Sequence, residues 1–324
     1  MMNSGVVMTL GSDARTGFGT PAKSVDSPAM PVPSPYAAAL AATPAREAVI
    51  EVLGSKVRYW EYGPEDRPVD LVLIHGFRGD HHGLEPIVSN LSGLRIVSPD
   101  LPGYGASTAM PRTHTIAAYG QWLLAFIDAL GLAGTPVLGH SFGSIVVSHA
   151  VAAGLAPRLL VLVNPIAADA TSGPDQVMIP IVKLYFRIGR LLPHRAADFW
   201  LGIPLATRIM SWKLAKTTDK TLRRWIHEEH GRYFSGFSDP TTLSEGYEAS
   251  VSTNVIAAAA SLTMPTLLVV GALDNIAPLV HQRQLAELLP DGELVVLEGV
   301  GHLVHYEKPA EAAAAIATFL AAHA

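Results

Sequence analysis

Short apolar runs alternate with amphipathic stretches along most of this 324-residue chain. Residues 49–53 and 56–62 predict a β-hairpin that turns at Gly54-Ser55. Continuous apolar runs typical of buried strands occupy residues 69–74, 94–97, 137–139, 159–163, 266–270 and 293–297. Helical spacing occurs at residues 115–130, 145–153, 279–289 and 309–322. This alternation predicts an α/β fold, with a mostly parallel central sheet and helices on both faces.

The same pattern divides the chain into four parts. Residues 1–45 are rich in Ala, Pro, Ser, Thr and Gly and have little periodicity, which predicts a disordered or loosely attached segment. Residues 46–165 and 251–324 carry the alternation, and we take them as two parts of one core. Residues 166–250 break it with amphipathic helical stretches and three tryptophans. They predict a helical insertion that caps the functional site.

The stretch Gly139-His140-Ser141-Phe142-Gly143 lies between a predicted strand and a predicted helix. A serine with glycine two places to either side is typical of a nucleophile elbow, where the chain turns sharply and side chains at the flanking positions would collide with backbone. The serine hydroxyl is then exposed near the positive end of a helix dipole. An ordinary strand-to-helix turn also fits this motif, and in either case His140 is expected to pack beneath the turn.

A base and an orienting acid follow Ser141 in the chain. Asp274 comes just after one predicted strand and His302 just after the last, so both are expected at the sheet edge that holds Ser141. Considered alone, Asp274 and His302 are each best interpreted as ordinary loop residues. Their joint placement favours a Ser-His-Asp triad with Ser141. His305 is a competing base, and the glycine before His302 favours His302.

The loop after residues 69–74 completes the predicted site. Backbone amides of Phe77 and Phe142 are expected to form the oxyanion hole, with Gly76 allowing a close backbone approach. His75, Gly76 and Arg78 are candidate substrate contacts. The alternatives are that His75 hydrogen-bonds this loop, which is favoured over direct catalysis, and that Arg78 is a solvated side chain.

Several motifs resemble the α/β-hydrolase superfamily, in its large cap-bearing serine hydrolase branch. The resemblance spans about residues 49–322 and rests on His75-Gly76-Phe77, Asp100-Leu101-Pro102-Gly103-Tyr104-Gly105-Ala106-Ser107, Gly139-His140-Ser141-Phe142-Gly143, Gly271-Ala272-Leu273-Asp274 with Pro278, and Gly301-His302 followed by Glu307-Lys308-Pro309. It implies the α/β-hydrolase fold, the triad and the cap. Epoxide hydrolases and haloalkane dehalogenases carry aspartate at the elbow, where this chain has Ser141. Ser144 departs from many relatives, which have a second glycine there.

Composition narrows the functional classes. The chain has 23 basic and 28 acidic residues and no cysteine, which argues against a nucleic-acid partner and excludes disulfides and zinc–cysteine sites. The lack of cysteine, of a signal-peptide pattern and of a long apolar run predicts a cytoplasmic protein without stable membrane insertion. His81 and His82 are not expected to hold a metal, because further ligands lack convincing spacing.

The sequence therefore predicts a cofactor-independent serine hydrolase that cleaves a carboxylic ester or related acyl bond in a small, partly hydrophobic substrate. The alternatives are a carbon–carbon bond hydrolase, an acyltransferase, or a non-catalytic ligand-binding relative. Lys183, Arg187 and Arg190 share one face of a helical stretch. A solvated cap face is favoured there over a membrane-surface helix.

Overall fold

An eight-stranded sheet forms the centre of the molecule, with strand order β1-β2-β4-β3-β5-β6-β7-β8. The computed structural model describes residues 32–169, 179–234 and 237–324. Strands β1 and β2 pair antiparallel, and β3 to β8 run parallel. The strands are β1 Ala45–Val52, β2 Ser55–Tyr62, β3 Leu71–Ile74, β4 Ile96–Pro99, β5 Val137–His140, β6 Leu160–Val163, β7 Thr266–Gly271 and β8 Gly292–Leu297. The predicted α/β class and mostly parallel sheet are confirmed.

Helices cover both faces of this sheet. The α-helices of the described residues are α1 Ala37–Ala42, α2 Glu85–Val88, α3 Ile116–Ala129, α4 Phe142–Ala152, α5 Ile179–Leu191, α6 His194–Leu201, α7 Pro204–Leu214, α8 Lys220–Tyr233, α9 Pro240–Ser252, α10 Leu279–Leu288, α11 Val304–Glu307 and α12 Pro309–Ala322. Short 3-10 helices span His81–Leu84 and Ile256–Ser261. Helices α3, α4 and α10 pack on one face, and α2 and α12 pack on the other.

Strand β3 shows why the sheet needs both helical layers. Val72 and Ile74 belong to the core that contains α3 and α4, whereas Leu71 and Leu73 belong to the core that contains α12. All four side chains are fully buried, because successive residues of a strand point to opposite faces. Each such burial stabilises the fold by about 1.5–3 kcal/mol. A continuous apolar run therefore marks a strand covered on both sides.

The described part of the N-terminal segment, residues 32–45, is more closely attached than its composition predicts. Residues 1–31 lie outside the described part of the chain, but residues 32–45 contact the body of the protein. The Tyr36 hydroxyl donates to the carbonyl of Tyr306 at 2.7 Å, and its ring packs edge-on against Trp225 at 5.4 Å. The Val32 amide donates to Glu228. A single aromatic anchor of this kind leaves no periodic signal in the sequence.

Helices α5 to α9 form one insertion between β6 and β7, which are adjacent parallel strands. We call them the inserted helices. The prediction placed this insertion at residues 166–250, of which 170–178 and 235–236 lie outside the described residues. Phe186 of α5 stacks on Tyr247 of α9 with ring centroids 4.3 Å apart. Among the described helices, none is long and apolar enough to cross a membrane.

Candidate active site

The turn between β5 and α4 places Ser141 in a strained backbone conformation, with φ 52° and ψ −116°. Side chains on either flank would not fit. A Cβ on Gly143 would overlap the carbonyl oxygen of Ile74, and a Cβ on Gly139 would lie 2.6 Å from the carbonyl oxygen of Gly143. Ser144 is buried, and its hydroxyl donates to the carbonyl of Ser141, so a serine fits at this position. The sequence motif thus forms the sharp turn it predicted.

Ser141, His302 and Asp274 form a continuous hydrogen-bonded series. His302 Nε2 lies 2.7 Å from Ser141 Oγ, and His302 Nδ1 lies 2.7 Å from Asp274 Oδ2. Ser141 follows β5, Asp274 follows β7 and His302 follows β8, so all three lie at the carboxyl edge of the parallel sheet. His302 and Asp274 are buried, and Ser141 is half-buried.

Asp274 is fixed from two directions. Its Oδ1 accepts hydrogen bonds from the amides of Ile276 and Ala277 at 2.8 and 2.9 Å, while Oδ2 faces the imidazole of His302. An ionised carboxylate only accepts hydrogen bonds, so the facing Nδ1 of His302 carries a proton. In the neutral imidazole, Nε2 is then an acceptor directed at the Ser141 hydroxyl.

The backbone amides of Phe77 and Phe142, beside Ser141, are shown with no hydrogen-bond acceptor among the described residues. Phe142 is the first residue of α4, where backbone N–H groups have no partner within the helix. Gly76, which precedes Phe77, lies so close to the elbow that an added Cβ would be 3.3 Å from the Cβ of Ser141. The loop after β3 and the start of α4 therefore meet at Ser141.

His75 does not face the site as a substrate contact would. It is buried, and its Nε2 accepts a hydrogen bond from the amide of Leu101 at 2.9 Å. Its Nδ1 lies 2.8 Å from the carbonyl of Gly76, to which it donates in the tautomer that this pairing requires. Burial lowers the pKa of His75, which favours this neutral form. The favoured alternative, a histidine that hydrogen-bonds the loop, fits this geometry.

The expectation of a solvated Arg78 is wrong. The side chain is buried, and its guanidinium donates to the carbonyls of Phe234 at 3.0 Å and Leu201 at 3.3 Å. These carbonyls lie at the ends of α8 and α6, where helices leave acceptors without intrahelical partners. Arg78 therefore ties the loop after β3 to the inserted helices. The sequence predicted that Arg78 lies beside the site, but it did not predict the hydrogen bonds from Arg78 to the ends of these two helices.

Asp80, His81 and His82 are the only described residues whose metal-ligating atoms cluster, all within 4.8 Å of one another. The Nδ1 atom of His81 already pairs with Asp100 at 2.8 Å, and that of His82 pairs with Asp80 at 3.1 Å. The His81 ring also stacks on Trp60 with centroids 3.2 Å apart. These contacts anchor the loop after β3.

Behind His302 lie three further buried histidines, which are His140, His230 and His305. The rings of His140 and His305 are 4.1 Å apart, and His140 is 5.6 Å from His302. Burial lowers the pKa of His140 and of His230 to about 3, and it holds that of His305 well below the ordinary range. His305, the competing base, is buried in this group, and only His302 contacts the Ser141 hydroxyl among the described histidines.

Aromatic side chains connect the loop after β3 with the inserted helices. The Phe77 ring meets Phe142 edge-on at 6.3 Å, Phe186 of α5 at 6.0 Å and Tyr247 of α9 at 6.1 Å. Phe142 follows Ser141 in the chain, so this aromatic cluster begins beside the candidate site. The spacing of these four aromatic residues in the sequence did not predict that they contact one another.

Comparison with known proteins agrees with the fold. The model of the alpha/beta hydrolase family matches residues 71–315. A relative from Caulobacter sp. (strain K31), named "Putative carbamate hydrolase RutD", is 28% identical over 268 residues, covering 81% of this chain and 94% of that protein. The "Bifunctional esterase/perhydrolase DCH" of Acinetobacter calcoaceticus is 23% identical over 258 residues, covering 77% of this chain and 90% of that protein.

Solved structures share the fold. An esterase from Thermogutta terrifontis superposes with a TM-score of 0.69 at 20% identity, covering 86% of this chain and 99% of that one. A family model that matches most of the chain, together with the eight-stranded sheet, settles the classification. The chain belongs to the alpha/beta hydrolase family, and it is an enzyme of the hydrolase type.

Proposed function

We propose that this protein is a cofactor-independent serine hydrolase that cleaves a carboxylic ester or a related acyl bond. The observation that carries the proposal is the pair of 2.7 Å contacts joining Ser141, His302 and Asp274. A serine hydroxyl is a weak nucleophile until an adjacent base removes its proton, and the base must itself be held in the correct tautomer. We assign the nucleophile to Ser141, the base to His302 and the orienting acid to Asp274.

In the proposed reaction, His302 Nε2 takes the proton of Ser141 as Oγ attacks the substrate carbonyl. The tetrahedral intermediate collapses when the protonated His302 gives its proton to the leaving group, which departs as an alcohol and leaves an acyl-enzyme. Water, deprotonated by His302, then releases the carboxylic acid and restores the serine. Asp274 stabilises the imidazolium in both halves without itself taking the proton.

The amides of Phe77 and Phe142 are proposed to hold the oxyanion. Both lack acceptors among the described residues, and both belong to segments that meet at Ser141. Donors of this kind stabilise charge that develops only in the transition state, and losing one costs about 3 kcal/mol. Gly76 and the buried His75 would keep the loop in position, a supporting role that replaces the substrate contacts expected for them.

An apolar acyl group fits the proposed site best. Phe142, which follows Ser141 in the chain, belongs to an aromatic cluster with Phe77, Phe186 and Tyr247, and the last two come from inserted helices. We therefore propose that the inserted helices act as a cap. Relatives named as esterases favour an ester among acyl substrates.

Turnover of a p-nitrophenyl ester series tests this function. If release of the acyl group from Ser141 is the slow step, a burst of p-nitrophenol equal to the enzyme concentration is expected, and turnover should be unchanged after dialysis against EDTA. His302→Gln should lower kcat by at least about a thousandfold. His305→Gln, three residues away, is the matched control and should retain most activity. Equal losses in both variants while both remain folded would contradict the role of His302.

A further inference from the structure

Three consecutive inserted helices, α5 to α7, hold large apolar side chains out in solvent. The exposed fractions of Leu191 and Phe199 are both 77%, and that of Trp212 is 68%. Leu205, Ile209, Ile181 and Leu184 are each more than half exposed. Single exposed apolar residues are ordinary, but grouped ones mark an interaction surface.

Helix α5 divides into three stripes at 100° per residue. Phe186 and Gly189 lie on the stripe that packs inward, against Tyr247 and Leu201. Ile181, Leu184 and Leu191 lie on an exposed apolar stripe, and Lys183, Arg187 and Arg190 lie on an exposed basic stripe between the other two. A helix that only capped a site would need the buried stripe alone, with polar residues elsewhere.

Helix α7 repeats this arrangement. Leu205, Ile209 and Trp212 follow one another at helical spacing and are all exposed. Arg208 is exposed beside this apolar stripe, whereas Thr207 and Ser211 face inward and are buried. We take the exposed stripes of α5 and α7, with Phe199 of α6, as one surface and call it the docking face.

Charge around the docking face is opposite to that of the whole protein. Residues 179–214 contain six basic residues and one acidic residue, a net charge of +5, whereas the chain as a whole carries −5. Two copies joined through this face would bring like charges together, which disfavours a symmetric dimer. Exposed apolar side chains flanked by basic ones match a bilayer with anionic headgroups.

We propose that the docking face binds peripherally to the surface of an anionic phospholipid bilayer. The apolar stripes would enter the boundary between headgroups and acyl chains, and the basic residues would contact lipid phosphates. No spanning helix is needed for attachment of this kind. The chain was expected to carry a solvated face here, but a solvated face does not account for the exposed apolar stripes.

The segment that follows α7 lies close to the candidate active site. Just beyond α7, the Lys216 side chain lies against Gly301, which precedes His302: an added Cβ on Gly301 would be 2.8 Å from its Cγ. Leu273 and Ile276, beside Asp274, are also exposed apolar residues. If the proposed function holds, this placement suits an amphiphilic ester that moves from the bilayer to Ser141.

Co-sedimentation with vesicles tests docking separately from catalysis. The full chain carrying Ser141→Ala is used, so that no lipid is hydrolysed. We expect it to pellet with vesicles of equal phosphatidylcholine and phosphatidylglycerol, and much less with phosphatidylcholine alone. Arg187→Glu with Arg190→Glu should weaken binding at least about tenfold. Leu184→Ser with Trp212→Ser should also weaken it, without any change of charge.

Lys56→Glu with Arg283→Glu is the matched control, because both side chains are exposed on the core and lie outside the inserted helices. It should pellet as the parent does. Equal binding by the control and the Arg187/Arg190 variant would overturn the proposal, as would no pelleting with either vesicle. A dimer in light scattering that Leu184→Ser with Trp212→Ser dissociates, together with no pelleting, would assign the face to self-association and also overturn it.

Discussion

The imidazole of His302 lies within 2.7 Å of the hydroxyl of Ser141, although 161 residues separate them in the chain. Parallel strands explain this contact, since the carboxyl ends of β5 and β8 reach the same edge of the sheet. The chemistry of the site therefore depends on the packing of the whole core. Substitutions at the site should therefore change activity with little effect on stability, whereas substitutions in the sheet should change both.

Replacing Ser141 should separate activity from stability. Its φ of 52° is unfavourable for a side chain with a Cβ, and such strain costs about 1–3 kcal/mol. Ser141→Gly should therefore raise the free energy of unfolding by about 1 kcal/mol while abolishing ester turnover. Ser141→Ala should abolish turnover without that gain. Urea denaturation and ester assays on both variants measure the two effects, and a destabilised Ser141→Gly would contradict the strain.

Asp274→Asn tests the tautomer of His302. An amide nitrogen that faces Nδ1 would favour the tautomer with the proton on Nε2, which cannot accept the proton of Ser141. We expect kcat to fall by about ten-thousandfold. The amides of Ile276 and Ala277 can still donate to the remaining carbonyl oxygen, so the fold should persist. Stopped-time ester assays and circular dichroism give the answer, and activity within tenfold of the parent would refute this role.

The elbow glycine should tolerate no side chain. In Gly143→Ala the new Cβ would overlap the carbonyl oxygen of Ile74, which belongs to the rigid centre of the sheet. We expect a loss of at least about 3 kcal/mol in the free energy of unfolding. Gly231→Ala on α8 is the control, because nothing lies within 4 Å of the added atom and alanine favours helix. It should be neutral or stabilising.

The buried histidines predict a particular dependence of stability on pH. Burial lowers the pKa of His140 and of His230 to about 3, whereas the ordinary value is 6.5. Because the folded values lie below the unfolded ones, their contribution is complete above about pH 6.5 and is lost progressively as the pH falls towards 3. We expect the free energy of unfolding to decrease from pH 7 to pH 5.

His305→Phe tests this origin. His305 is fully buried with a depressed pKa, and its Nδ1 has no hydrogen-bond partner among the described residues. Removing it should lessen the decrease between pH 7 and pH 5 by about 2 kcal/mol, since one fewer proton binds on unfolding. Urea denaturation at the two pH values checks this, and an unchanged decrease would show that other groups cause it.

Much of the core could be predicted from apolar patterning, because strands covered on both faces are continuously apolar. The predicted strand boundaries were less accurate where pairing with a neighbouring strand determines them. The prediction placed one strand at residues 94–97, whereas β4 is Ile96–Pro99. Ser98 and Pro99 extend it by pairing with Trp60 and Tyr59 of β2. Because Ser98 is polar and Pro99 is a proline, the hydropathy pattern does not predict this extension of the strand.

The residues around Ser141 were harder to predict than Ser141 itself. Glycine spacing and chain order indicated Ser141, Asp274 and His302, since each follows a predicted strand. The partners of Arg78 are backbone carbonyls more than a hundred residues away, at the ends of inserted helices. The contact between His140 and His305 likewise arises from tertiary packing. Contacts of this kind leave no local pattern in the sequence.

Labelling with a fluorophosphonate tests the central proposal most directly, because this probe phosphonylates a serine hydroxyl only where a base activates it. Mass spectrometry of the folded wild-type protein should locate one phosphonyl group on the peptide that contains Ser141, and His302→Gln should label far more slowly. Folded protein that remains unmodified at Ser141, or that labels equally fast without His302, would contradict the account.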